Sequence, residues 1–153
     1  MKAHTSGMMI TLFIGILLSL LPLPPVIGMM CPLWVLLILV YWSIETSHPV
    51  PIEVVWIIGI LFDISQSTLL GEHAFALTAV MLVVVKMSRQ LHMFPMFQKI
   101  LNIFFVALMY QGIFFCLQSI GGETLPKTAF WAAPITSALF WPFLSRMLET
   151  CLP

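Results

Sequence analysis

Charge is what this sequence has least of. Six Lys and Arg and six Asp and Glu make up 8% of its 153 residues. A soluble domain spreads roughly a quarter of its residues as charges over its surface, so this chain cannot present such a surface to water on all sides. With 61% hydrophobic residues and a mean hydropathy of +1.08, its solvent is lipid. The two signs balance, which excludes the one-sign field that would bring nucleic acid to it. Short segments of alternating polarity, the mark of a membrane barrel, are also missing. The three cysteines (Cys31, Cys116, Cys151) share no metal-type spacing and are odd in number, so they read as small apolar residues.

What is there is a set of continuously apolar runs, and in lipid such runs satisfy their backbone as helices. The expectation is an all-α, polytopic membrane protein: one transmembrane domain over residues 1–153, a bundle of six helices. The spans are placed at 8–23, 31–44, 52–69, 74–85, 98–117 and 128–148. Lys2 and the first run resemble a secretory signal. However, Pro22, Pro24 and Pro25 follow without a small-x-small cleavage site, so an uncleaved first span is expected. The second span is short, since twelve residues rise only about 18 Å. It must borrow 26–30 or be shielded by its neighbours. Polar breaks at 45–49, at Gly71-Glu72-His73 and at Gly121-Gly122-Glu123 separate spans. The most polar stretch, Lys86 to His92, lies between spans four and five, with 93–97 along the interface. Pro134 and Pro142 interrupt the last span.

Orientation follows from the basic residues, because short loops rich in Lys and Arg stay cytoplasmic. With both termini cytoplasmic, Lys2, Lys86, Arg89, Lys99 and Arg146 lie inside and Lys127 alone lies outside. Trp34, Trp42, Trp56, Trp131 and Trp141 fall near span ends or near a proline, where amphipathic rings settle.

Two stripes of small residues recur every four positions, which places each on one helix face. Small residues let backbones approach closely in lipid, where apolar burial drives little association. Gly7, Thr11, Gly15 and Ser19 form the first stripe, Gly59, Asp63, Ser67 and Gly71 the second. Both suit packing inside the bundle; the first is also the better candidate for docking a partner's transmembrane helix. Asp63 lies well inside an apolar run and is expected in the outer half of its span. There it would snorkel, accept bonds from Ser65, Ser67 and Thr68, or cap the next helix. A structural role implies that Asp63→Asn keeps most function, polarity rather than charge being what matters. A proton relay is the alternative, but it needs several ionisable partners at membrane depth.

No arrangement for catalysis is found. Gly121-Gly122 lacks the context of a phosphate loop. His4, His48, His73 and His92 fall in four separate terminal or loop regions, so solvation rather than a metal site is expected. No Ser/His/Asp or Cys/His set converges on one side of the membrane. The chain is read as no enzyme, with no catalytic residue, metal or cofactor.

Several segments resemble the MreD family of bacterial rod shape-determining membrane proteins. Pro32-Leu33-Trp34-Val35-Leu36-Leu37-Ile38-Leu39-Val40-Tyr41-Trp42 is similar to the family's second helix, and His48-Pro49-Val50 follows at the family spacing. Gly59-Ile60-Leu61-Phe62-Asp63, then Ser67-Thr68-Leu69-Leu70-Gly71 and Ala76-Leu77, resembles its central pattern. Phe140-Trp141-Pro142 with Arg146 resembles its last helix. Gln66 stands where the family often has glycine, which leaves the geometry of that turn open. Pro32, Trp34, Gly59, Asp63, Ser67, Gly71, Trp141 and Pro142 then read as structural positions.

The resemblance implies a non-enzymatic scaffold of the elongasome in the bacterial inner membrane, supporting rod shape and lateral peptidoglycan synthesis. The implied partner is MreC, a single-span periplasmic protein. Further associates would be MreB, the elongation glycosyltransferase–transpeptidase pair and membrane lipid. The resemblance also implies a fold like the substrate-binding subunits of energy-coupling-factor transporters. A second reading is a small-molecule-binding subunit of a vitamin-type transporter, in which Asp63, Gln66, Glu72, His73, Gln118 and Glu123 converge on an external pocket.

Overall fold

The computed structural model describes residues 2–21, 24, 31–45, 50–67, 69–122 and 131–151. Most of the 22–25 turn lies outside the described residues, as do 26–30, the break at 46–49, Thr68 and 123–130 with Glu123 and Lys127. The described elements are helical throughout: α1 (Lys2–Ser19), α2 (Trp34–Glu45), α3 (Ile52–Gln66), α4 (Glu72–Met93), α5 (Met96–Gly121) and α6 (Ala133–Cys151). All six expected helices are present, with shifted bounds. The largest shift is in α4, which runs on to Met93 and takes the polar stretch from Lys86 to His92 into its last two turns. Those residues are good helix formers, so polarity marks only where the helix leaves the apolar layer. Pro95 precedes the first residue of α5, and Pro134 occupies the first turn of α6, where proline's missing N–H costs nothing. Pro142 sits inside α6 without ending it.

α2 is the central helix. Its residues 35–44 are all buried, and α1, α4 and α6 pack against it. A helix apolar on every side must be covered on every side, and at twelve residues it is too short to face lipid across a core of about 30 Å. Its neighbours shield it. α4 also packs against α3 and α5, and α5 against α6. The helices alternate in direction. At one end Gln66 Nε2 donates to the Ser19 carbonyl (3.1 Å) and the Leu33 N–H to Ser137 Oγ (3.0 Å). At the other, Lys99 Nζ donates to Glu45 Oε1 at 2.7 Å, and His92 Nδ1 lies 3.4 Å from Glu45 Oε2.

The outside of the bundle is apolar. Phe13, Ile57, Leu61, Phe105, Leu139 and Phe143 are each more than half exposed. A soluble monomer rarely exposes apolar surface on this scale. α4 and α5, at about 33 and 39 Å from the helical rise, are long and apolar enough to cross a membrane.

The tryptophans correct one expectation. Trp56 and Trp131 are exposed, but Trp42 and Trp141 are buried at 5% and 0% exposure. Trp42 Nε1 donates to Thr11 Oγ1 at 3.0 Å, and the Trp141 ring lies 6.4 Å from that of Tyr41. These two rings fill the core around α2 rather than mark an interface.

Candidate functional site

The polar centre of the molecule lies where α3 turns into α4. Ser67 ends α3 in the left-handed region (φ 56°), and Gly71 begins the next helix at φ 106°. A left-handed Ser67 carries the turn that Gln66 left open. At Gly71 an added Cβ would meet nothing within 4 Å, so its backbone angle, not space, selects glycine. The turn carries the start of α4 back beneath Asp63. One carboxylate oxygen accepts the N–H of Gly71 at 2.8 Å and that of Ala74 at 3.3 Å. The other accepts the N–H of His73 and its ring Nδ1, at 2.8 and 2.9 Å.

Helix starts leave N–H groups without intrahelical partners and carry partial positive charge, so a buried carboxylate there is compensated twice. Asp63 therefore caps the next helix, one of the roles anticipated for it. It does not snorkel, being fully buried, and Ser65 Oγ donates to the Phe62 carbonyl instead.

His73 was expected to be a solvated loop residue; it is buried. Its ring sits against Phe62 (4.7 Å, edge-on) and Phe114 (4.4 Å), with Tyr110 at 6.4 Å. Glu72, beside His73 on α4, and Gln111, beside Tyr110 on α5, are also buried. Sequence reasoning missed His73 because the capping group stands ten residues upstream, outside the local pattern by which caps are recognised. The available signal was an acidic residue deep in one apolar run and a histidine opening the next.

Gly59 explains how the two helices come so close. A Cβ built on it would run into the backbone of Ala74, with Ala74 Cβ at 2.9 Å. Gly59 and Asp63 thus lie where α3 meets α4, while Ser67 and Gly71, past the end of α3, form the turn instead of continuing that face.

In the first stripe Gly7 and Gly15 are buried, and a Cβ on Gly15 would lie 2.5 Å from Ile38 Cδ1 of α2. Thr11 receives the Trp42 indole, and Ser19 Oγ bonds back to the Gly15 carbonyl. Thr11 and Gly15 of this face pack against α2, and the Ser19 carbonyl accepts from Gln66 of α3, which is the internal-packing alternative. Small residues turned inward because α2 has no room for a bulkier neighbour.

The remaining structural positions fall as follows. Pro32 leads into α2, its carbonyl accepting the Trp34 N–H at 2.9 Å, and the Trp34 ring meets Phe140 edge-on at 5.5 Å. Trp141 is in the core, and the Pro142 carbonyl accepts from Ser145 Oγ. Of the groups proposed to line an outer pocket, Asp63 and His73 are bonded to each other at the start of α4 and Gln66 to Ser19, while Glu123 lies outside the described residues. Among the described residues no group of three His, Cys, Asp or Glu is placed to hold a metal.

Comparison with known proteins agrees with the helical architecture and the ordered motifs. A family model for rod shape-determining protein MreD matches residues 2–151. The rod shape-determining protein MreD of Haemophilus influenzae is 30% identical over 144 residues, covering 89% of this chain and 84% of that protein. No solved structure matches. Family match and homologue both extend over nearly the whole chain, through the Asp63 hairpin and both ends of the bundle, and the chain therefore belongs to the MreD family of rod shape-determining membrane proteins.

Proposed function

We propose that the chain is an inner-membrane scaffold of the elongasome, crossing the membrane six times with both termini cytoplasmic. It binds MreC and, through that assembly, supports lateral peptidoglycan synthesis together with MreB and the glycosyltransferase–transpeptidase pair. The family's role is shape determination, not a catalysed reaction. The observation that carries the reading is the match along residues 2–151. What supports the topology is the up-and-down order of the helices under an apolar exterior, with Lys86, Arg89, Lys99 and Arg146 all toward one end. Six antiparallel helices also suit the fold of energy-coupling-factor substrate-binding subunits. Binding of a vitamin-like ligand is not favoured, because the polar groups at the α3–α4 turn hold helices together.

Purification of tagged protein in mild detergent, with identification of what travels with it, tests the proposal. MreC should co-purify in stoichiometric amount. Recovery of the folded chain without MreC, from cells that produce both, would sink the scaffold reading.

A further inference from the structure

One face of α4 changes character along its length. Phe75, Leu82, Lys86, Arg89 and Met93 follow at spacings of seven, four, three and four, so they share a stripe. All five are exposed. Phe75 and Leu82 are 53% and 47% exposed, and Met93, where the helix ends, is 87% exposed. Phe97, the second residue of α5, is 78% exposed. Two cations thus stand on an otherwise apolar stripe.

Among the described residues no carboxylate neutralises them. Of the carboxylates toward that end of the bundle, Glu45 is held by Lys99 and faces His92. Glu53 and Glu149 are exposed on other helices, and among the described residues neither Lys86 nor Arg89 forms an ion pair. α4 is about 33 Å long against a hydrocarbon core of about 30 Å. Met93 then falls at the boundary, and Lys86, seven residues or about 10 Å short of it, must extend toward the headgroups. Exposed Met93 and Phe97 suit the acyl boundary rather than water.

We propose that Lys86 and Arg89, flanked by Met93 and Phe97, bind the phosphodiester headgroup of an anionic phospholipid. The two cations supply charge for a phosphate that a zwitterionic lipid neutralises itself, and Arg89 adds a planar fork of donors matched to phosphate oxygens. The inference rests on α4 and α5 crossing the membrane.

The test is native mass spectrometry of protein released from nanodiscs of equal phosphatidylglycerol and phosphatidylethanolamine. The wild type should retain phosphatidylglycerol selectively. Lys86→Gln with Arg89→Gln should weaken that preference about thirtyfold, roughly fivefold per cation, at unchanged yield because both side chains are exposed. Lys86→Arg with Arg89→Lys should keep it. Equal retention of both lipids by the wild type, or undiminished preference in the double Gln variant, would overturn the proposal. So would loss of an acidic protein partner with lipid preference intact, which would assign the face to that partner. Resistance of the wild type to carbonate extraction checks the membrane reading separately; its failure would remove the premise rather than the site.

Discussion

Asp63 and His73 are joined twice through one carboxylate oxygen, which accepts both the backbone N–H of His73 at 2.8 Å and its ring Nδ1 at 2.9 Å. The other oxygen takes two further N–H groups from the start of α4. Each of these four groups is a donor, and this reverses the expectation for the amide. Asn offers one acceptor oxygen and turns an NH2 toward donors. Asp63→Asn should therefore destabilise the protein by about 2 kcal/mol, approaching Asp63→Leu. Thermal unfolding in detergent would measure it; wild-type stability of Asp63→Asn would contradict the cap.

His73→Phe separates the ring bond from the cap. Phenylalanine keeps the packing against Phe62 and Phe114 and leaves the backbone N–H in place. The expected loss is about 1 kcal/mol, smaller than for Asp63→Asn in the same assay. The reverse order would make the imidazole, not the helix start, the main partner of Asp63.

Two glycines in helices should respond with opposite signs. At Gly59 a Cβ would strike the Ala74 backbone, which cannot move without separating α3 from α4, so Gly59→Ala should cost about 1–3 kcal/mol. At Gly112 nothing lies within 4 Å, and Gly112→Ala should be neutral or stabilise by up to about 1 kcal/mol. Unfolding midpoints of the two variants, measured side by side, would show it.

Gly15 is intermediate, because the atom in the way is the tip of the Ile38 side chain. Gly15→Ala should be tolerated by a rotamer change at Ile38. Gly15→Leu should lower the amount of the protein itself in the membrane, because it pushes α1 off α2. Normal protein levels with Gly15→Leu and loss of MreC alone would instead return this face to partner binding.

Labelling of single cysteines from the periplasm checks the proposed topology. Positions at the Gly121–Gly122 turn should react, while Arg89→Cys and His92→Cys should not. Reaction at residue 89 would invert the bundle.

Composition alone determined the class of this protein: too few charges for a water-facing surface, and apolar runs of helical length separated by polar or proline-rich breaks. Helix number and order followed from that, because backbone bonding in lipid is a local matter, settled within each segment. The MreD motifs were equally legible as an ordered set of short patterns. Only the tertiary structure decided which residues meet. Asp63 looked like an isolated polar anchor until the left-handed turn at Ser67 and Gly71 brought His73 beneath it. The Gly7–Ser19 stripe announced a close helix contact, yet its spacing is the same whether the neighbour is α2 or another protein. Trp42 and Trp141 carried an interfacial composition but a core location. Periodicity specifies a face, while the occupant of that face depends on how distant segments pack, and this is why the partners became visible only in three dimensions.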